Sequence, residues 1–184
     1  MRKLRQDDVP ERDGGGFLRD RKKRMKEIKQ VRIYIDGGSR GNPGNGACAS
    51  VIMDAKGEII AQEGRFLGKC TNNFAEYSAL HLAISVSKKI GASVLDIFSD
   101  SELLVKQFNG EYRIKDEKLK DFMLIIRKEI KNFREIRITH IRREKNKIAD
   151  KLVNNILDSK KMPDEENRKI ALEREEKFKQ SELF

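Results

Sequence analysis

The sequence lacks several features that would assign it to a common class of protein. Its 184 residues include two cysteines, Cys48 and Cys70, which are too few and too isolated for a disulfide framework or a zinc site. No apolar run approaches the roughly 20 residues of a membrane-spanning helix. The first residues also lack the apolar segment of a secretory signal. Together these absences predict a cytoplasmic protein with reduced thiols and no membrane partner.

Charged residues, by contrast, are abundant. They make up 38% of the chain, and the formal net charge is +10. A basic excess of this kind favours a polyanionic partner, most simply the phosphate backbone of a nucleic acid. Many basic proteins bind nothing acidic, so the net charge alone does not identify the function.

The distribution of charge and apolar residues divides the chain into three parts. Residues 1–30 hold 11 Lys and Arg against 6 Asp and Glu. They predict a flexible basic arm, with an accessory nucleic-acid contact as the alternative. Residues 31–158 carry regular apolar patterns and predict a folded domain. Residues 159–184 are polar, with equal numbers of acidic and basic side chains, and predict a charged tail.

Within the folded region, strand-like and helix-like patterns follow one another. The segment VRIYID at 31–36 alternates apolar and polar residues and runs into GGSRGNPGNG, which predicts a loop. Two further strands complete an antiparallel meander. The later segments follow in the order helix, strand, helix, helix, strand, helix. This order predicts an α/β fold with a five-stranded mixed sheet flanked by helices.

Four acidic residues lie at positions that are hard to explain together by packing. Asp36 and Asp100 each end an apolar strand, although either could begin a turn or cap a helix. Glu76 shares a core-facing helical stripe with Leu80, where a lone acid is unfavourable. Asp150 flanks the apolar stripe of the last helix, where an ordinary exposed acid is the alternative. The ends of four separate elements thus carry acids that could converge.

Converging carboxylates suit the cleavage of a phosphodiester. That reaction needs an activated water, stabilisation of the charge on phosphorus and help for the departing oxygen, and two divalent cations roughly 4 Å apart can supply all three. Carboxylates are hard oxygen ligands, which suit two Mg²⁺ ions, or Mn²⁺, better than zinc. The four acids are therefore expected to ligate metal and to be catalytic.

Four segments resemble, in order, the sequence blocks of the ribonuclease H type 1 family. They are DGGSRGNPG at 36–44, TNNFAEYSAL at 71–80, SDSELLVKQFNG at 99–110 and REKNKIADKLVN at 143–154. The resemblance covers essentially all of the folded region and implies the ribonuclease H-like fold. It also implies an endonuclease that hydrolyses the RNA strand of RNA–DNA hybrids, leaving 3′-hydroxyl and 5′-phosphate ends. Asp36, Glu76, Asp100 and Asp150 stand at the family's metal-ligand positions.

An enzyme that selects hybrids must distinguish RNA from DNA, and the 2′-hydroxyl is the group that differs. By resemblance, Lys69 and Thr71 would hold a phosphate of the DNA strand. Asn42 could instead be a turn residue, and Thr71 or Asn72 could cap the following helix. The full set of residues expected to contact the hybrid is Gly37, Asn42, Lys69, Thr71, Asn72 and Gln107.

His140 lies ten positions before Asp150, at a family position associated with product release or proton transfer. A general acid or base role suits the chemistry of histidine, so His140 is a further catalytic candidate. The segment around it lacks the glycine-rich mobile loop that surrounds the functional histidine in some members. A structural or solvent-facing histidine is the alternative.

The chain contains no tryptophan, and its path from Gly110 to the next helix near Lys115 is short. The basic, tryptophan-bearing protrusion of some members is therefore expected to be absent, as in the shorter forms. Substrate grip would then depend on other cations, and selection could be looser. Two alternatives to a monomeric, hybrid-specific nuclease stay open, a broader nuclease that also cuts duplex RNA and a non-catalytic hybrid-binding module. The candidate cations are Lys106, Lys115, Lys118, Arg142, Arg143, Lys145 and Lys147.

The last five residues, QSELF, resemble the short peptide that bacterial replication proteins insert into a sliding clamp. Leu183 and Phe184 would enter an apolar pocket while Gln180 fixes the orientation. Ser181 stands where leucine is usual. A sliding clamp is therefore an expected partner, with a free tail as the alternative.

Overall fold

The computed structural model describes residues 30–159, which form a mixed sheet with helices on both faces. The connections include two short 3-10 turns, at Ile130–Asn132 and Arg143–Lys145. None of the helices among these residues is long and apolar enough to cross a membrane. The strands are β1 Gln30–Gly41, β2 Gly44–Met53, β3 Ile59–Cys70, β4 Val94–Ser99 and β5 Glu135–His140, and the helices are α1 Asn72–Lys89, α2 Glu102–Asn109, α3 Glu117–Glu129 and α4 Lys147–Ser159.

The five strands lie in the order β3-β2-β1-β4-β5. β1, β2 and β3 pair antiparallel, whereas β4 pairs parallel with both β1 and β5. This arrangement confirms the predicted α/β fold with a five-stranded mixed sheet. Parallel pairing also sets Ile35 of β1 beside Ser99 of β4. The residues that follow them, Asp36 and Asp100, therefore emerge side by side from neighbouring strands.

The glycine-rich segment after Asp36 is the main departure from the predicted elements. The prediction of a loop from Gly37 onward is wrong, because β1 continues to Gly41. Its backbone pairs with β2 from Gly37 opposite Cys48 to Gly41 opposite Gly44, so the connection is only two residues long. Hydrogen bonding to β2 outweighs the weak strand preference of glycine.

Two apolar layers pack against the sheet. Helix α1 buries Leu80 and Ile84 against the strand side chains Ile33 and Ile35, all of them fully inaccessible to solvent. A second buried cluster, on helix α4, packs Val153 and Leu157 against the small residues Ala47 and Ala49 of β2. The N-terminal parts of both helices, at Glu76 and Asp150, line the same cleft as Asp36 of β1 and Asp100 after β4.

Gly37 is where β1 and α1 come closest. A Cβ atom at this position would lie 2.2 Å from the carbonyl carbon and oxygen of Ala75 and 2.3 Å from the amide nitrogen of Glu76. Real Cβ atoms do not approach backbone so closely, so only glycine fits without moving the helix. The missing side chain lets Asp36 lie near Glu76. Gly37, expected to contact the hybrid, therefore has a packing role in the fold.

We expect Gly37→Ala to lower the free energy of unfolding by about 3 kcal/mol, because the methyl group must displace helix backbone. Gly38→Ala is the matched control, since its Cβ would meet only Val153 Cγ1 at 3.5 Å. That change should cost less than about 1 kcal/mol. Urea unfolding of both variants measures the difference, and equal losses would contradict the close-approach account.

Candidate active site

All four acids line one open cleft of about 280 Å³. Asp36 comes from β1, Glu76 from the second turn of α1, Asp100 from the residue after β4, and Asp150 from the first turn of α4. Four elements distant in sequence therefore converge on one place. The residues lining the cleft are Asp36, Gly37, Gly38, Ser39, Arg40, Asn72, Glu76, Asp100, Arg143, Asp150, Val153, Asn154 and Leu157.

Asp36 is a buried acid whose ionisation is opposed by its surroundings. Burial raises the pKa of its carboxyl to about 7, and repulsion from Asp100 and Asp150 adds to the effect. The Arg143 guanidinium and the Gly37 amide act in the opposite direction and do not offset it. A carboxyl that is costly to ionise in the free protein is one that a cation would stabilise strongly.

Glu76 behaves in the same way. Burial raises the pKa of its carboxyl to about 7, hydrogen bonding from Ser101 and Asn72 lowers it in part, and the charges of Asp36 and Asp100 raise it further. The prediction that Glu76 is an acid turned towards the sheet therefore matches its surroundings in the structure.

Asp150 is held by two partners within the cleft. Arg143 Nη2 donates to Asp150 Oδ1 at 2.7 Å, and Asn154 Nδ2 donates to Asp150 Oδ2 at 3.0 Å. The bond to Asp150 also raises the pKa of Arg143 above its usual range. The sequence identified Arg143 only as one of several cations for substrate grip. Its spacing of seven residues before Asp150 gave no indication that it faces the carboxylates.

Asn72 and its neighbours join β1 to the start of α1. Asn72 Nδ2 donates to Glu76 Oε1 at 3.1 Å, and its Oδ1 accepts from the Ser39 amide at 3.2 Å. Asn42 Oδ1 accepts from the Asn72 amide at 3.1 Å. Thr71 Oγ1 accepts from the Phe74 amide at 3.2 Å, which makes it the helix N-cap. These bonds give Asn42 and Thr71 structural roles, while Asn72 also reaches into the cleft.

The remaining predicted site residues lie outside the cleft. Gln107 is buried, with 8% of its surface exposed, and its Oε1 accepts from the Tyr77 hydroxyl at 2.7 Å. The prediction that it contacts substrate is therefore corrected to a core hydrogen bond between α2 and α1. Lys69 is exposed on β3, opposite Asn45. His140 is exposed at the end of β5 beside Ser99, so its catalytic role stays a prediction.

Asn146 was not identified from the sequence. It is fully buried, and its Nδ2 donates to Asp100 Oδ1 at 2.6 Å and to the Ile35 carbonyl at 2.9 Å. An asparagine just before a helix usually indicates an N-cap. The sequence pattern would suggest an N-cap, whereas the contact with Asp100 depends on how β1, β4 and α4 pack together.

The donor set fits hard divalent cations. Four carboxylates in one cleft offer oxygen ligands that suit Mg²⁺ or Mn²⁺, and their mutual repulsion favours a bound positive charge. Across residues 30–159, no three acidic, histidine or cysteine side chains are already grouped around a single point. Asp100 Oδ1 and Asp150 Oδ1 instead accept hydrogen bonds from the protein donors Asn146 and Arg143.

Comparisons with known proteins agree with this geometry. A family model described as reverse transcriptase-like matches residues 34–156. The chain is 37% identical over 129 residues to ribonuclease HI of Halobacterium salinarum, which covers 70% of this chain and 65% of that protein. A crystal structure of the Halobacterium salinarum RNase H1 superposes with a TM-score of 0.69 at 37% identity, covering 71% of this chain and 98% of that one. The chain belongs to the ribonuclease H type 1 family.

Two other relatives extend the comparison. The bifunctional protein Rv2228c of Mycobacterium tuberculosis is 33% identical over 131 residues, which are 71% of this chain but only 36% of that protein. The LC11 RNase H1, solved in complex with an RNA/DNA hybrid, superposes with a TM-score of 0.65 at 37% identity, covering 68% of this chain and 94% of that one. The chain thus spans about two thirds or less of the full length of the curated ribonuclease HI and Rv2228c.

The raised pKa of Asp36 predicts how the metal-free ribonuclease H domain responds to pH. The folded carboxyl has a pKa of about 7 against 3.8 for the free side chain, so the folded state holds the extra proton between these values. Its contribution to stability is present at low pH and is lost as pH rises through about 7. Ionised Asp36 is then confined beside other carboxylates.

We therefore expect Asp36→Asn to be more stable than the wild type at pH 8 by roughly 1 to 3 kcal/mol in chelator, with a much smaller difference at pH 5. Asp121→Asn, on the exposed surface of α3, is the control and should change little at either pH. Urea unfolding at the two pH values gives the numbers. Equal free energies of unfolding for the wild type and Asp36→Asn at pH 8 would contradict the inference that burial and repulsion destabilise ionised Asp36.

Proposed function

We propose that this chain is an endonuclease that hydrolyses the RNA strand of RNA–DNA hybrids. The observation that carries the proposal is the convergence of Asp36, Glu76, Asp100 and Asp150 on one cleft, with burial and repulsion opposing ionisation of the first two. Such a site is costly without cations and suited to binding them. A hybrid-bound structure of the LC11 relative supports the substrate class.

Two Mg²⁺ ions, or Mn²⁺, would supply Lewis acidity at the phosphate, an activated water and stabilisation of the leaving oxygen. The charges of Asp100 and Asp150 both act on Asp36, and Asp36 would contact both ions. Glu76 and Asp100 would hold one side of the site, and Asp150 would complete the other. Breaking the bond between phosphorus and the 3′-oxygen leaves a 3′-hydroxyl on one product and a 5′-phosphate on the other.

The chain's own polar residues keep these acids in place. Asn72 donates to Glu76 while its backbone amide is held by Asn42, so the start of α1 is fixed relative to β1. Arg143 forms an ion pair with Asp150. If a cation took its place beside Asp150, the guanidinium would be available to contact a phosphate of the hybrid, a group that arginine binds well.

The minor groove of the hybrid would face the mouth of the cleft. Small polar groups there, including Ser39 and Asn72, are suited to the 2′-hydroxyls that distinguish RNA from DNA. Lys69 and Thr71 are proposed to hold the DNA strand. The general acid or base role of His140 belongs to the same proposal, with its exposed side chain free to move towards the site.

Partners beyond the hybrid remain predictions. The clamp-binding peptide of Gln180, Leu183 and Phe184 lies outside the described residues, as do residues 1–29 of the basic arm and 160–184 of the charged tail. The domain boundaries, the monomeric state and the cytoplasmic location remain predictions for the same chain.

The proposal predicts that the wild-type chain cleaves a labelled RNA strand paired with DNA in the presence of Mg²⁺ or Mn²⁺. Asp36→Asn should cleave it at least roughly 100-fold more slowly, because one oxygen ligand is replaced by an amide nitrogen in a site that stabilises the reacting charge. Gel analysis of the labelled strand under single-turnover conditions measures both rates.

The matched control is Asp121→Asn, which removes a carboxylate from an exposed position on α3 and should leave the rate unchanged. Parallel reactions contain duplex RNA and duplex DNA. Cleavage of duplex DNA, or full activity in Asp36→Asn, would overturn the proposal. Cleavage of duplex RNA beside the hybrid would favour the broader nuclease, and tight hybrid binding without cleavage would favour a binding module.

A further inference from the structure

Asn146 contacts Asp100 of the site through a side chain that solvent does not reach. Its exposed fraction is 0%. The Nδ2 group donates two hydrogen bonds, one to Asp100 Oδ1 at 2.6 Å and one to the Ile35 carbonyl at 2.9 Å. Both partners are acceptors, so the amide group can only be oriented with its nitrogen towards them.

These two bonds link the elements that carry three of the four acids. Ile35 immediately precedes Asp36 on β1, and Asp100 immediately follows β4. Asn146 itself stands before α4, and its backbone carbonyl accepts from the Asp150 amide at 3.1 Å. One residue therefore connects β1 at Ile35 with the residue that follows β4, and ties the first turn of α4 to both.

Helix capping does not account for this side chain. A capping asparagine accepts a backbone N–H through Oδ1. In the part of the chain that the structure describes, Asn146 Oδ1 is buried and has no hydrogen-bond partner. Two amide groups of the first turn of α4, those of Ala149 and Asp150, bond to the backbone carbonyl of Asn146. That carbonyl is present whatever the side chain.

The hydrogen bonds of Asn146 also stabilise the fold, because they satisfy the Ile35 carbonyl and a carboxylate oxygen of Asp100. An apolar residue of similar size would leave both acceptors without this donor. The donating half of the amide nevertheless points at a carboxylate of the site. A role in orienting Asp100 is therefore to be separated from a role in stability by variants that remain folded.

We propose that Asn146 is a positioning residue that presents Asp100, and the neighbouring parts of β1 and α4, in the geometry that binds divalent cations. The inference deepens the proposed function and rests on it for the identity of the substrate. With Asp100 Oδ1 bonded to Asn146, Asp100 Oδ2 would be the oxygen available to a cation in the cleft. Loss of the amide would let the carboxylate rotate and would weaken metal binding without removing any ligand.

The variants separate positioning from packing. Asn146→Asp keeps size and shape but replaces the donor with an acceptor, so it should disrupt the site most. Asn146→Ser keeps a smaller donor and should retain part of the function. Asn155→Ala, an exposed change on the same helix, is the control. Circular dichroism first establishes which full-length variants remain folded at the assay temperature, and only those variants are compared.

The primary readout is direct binding of Mn²⁺ by electron paramagnetic resonance, followed by Mg²⁺ dependence of hybrid cleavage. We expect Asn146→Ser to weaken Mn²⁺ binding by about 10-fold and Asn146→Asp by up to about 100-fold, the range for residues that orient metal ligands. The turnover rate should fall with little change in the KM for hybrid, and excess Mg²⁺ should restore part of the rate in Asn146→Ser.

Mn²⁺ binding within twofold of the wild type in folded Asn146→Ser and Asn146→Asp would overturn the proposal, as would a wild type that binds no Mn²⁺. If Asn146→Asp does not fold, the serine variant alone decides. A wild type that binds Mn²⁺ but does not cleave hybrid would remove the proposed function, while the binding comparison would still judge the role of Asn146.

Discussion

The confinement of four carboxylates in one cleft is the constraint around which this domain is organised. Burial opposes the ionisation of Asp36, and the charges of Asp100 and Asp150 add to the same effect. Isolated acids on a flexible chain would move apart. Here β1 and β4 are parallel neighbours in the sheet, paired up to Ile35 and Ser99, so the next residues, Asp36 and Asp100, cannot separate without breaking the sheet. The free energy of the core is what confines the charges.

Several features besides the four acids help to hold the carboxylates together in the cleft. Gly37 removes the atom that would separate β1 from α1, and Ala47 and Ala49 form the small-residue surface against which α4 packs. Arg143 and Asn146 then hold two of the carboxylates in the metal-free protein. The cleft is thus a place where favourable packing elsewhere offsets unfavourable electrostatics, as is common at functional sites.

Much of this could be predicted from the sequence, because the informative residues act locally. Apolar periodicity defines the strands and helices, and the strand-end acids and the Glu76 stripe follow from it. Asn146 and Gln107 could not be predicted in the same way. Their partners, Asp100 and Tyr77, are 46 and 30 residues away, so only the packed fold determines whether each side chain faces the cleft or the core. The extension of β1 through Gly41 likewise depends on pairing with β2.

Locating the metal ions tests the central claim most directly. Crystals of the full-length chain grown with Mn²⁺ and a short RNA–DNA hybrid would show each manganese by its anomalous scattering. We expect two manganese peaks roughly 4 Å apart within reach of Asp36, Glu76, Asp100 and Asp150. We also expect Arg143 to be no longer bonded to Asp150. Manganese bound only at other surfaces, with Asp150 still paired to Arg143 and the hybrid away from the cleft, would contradict it.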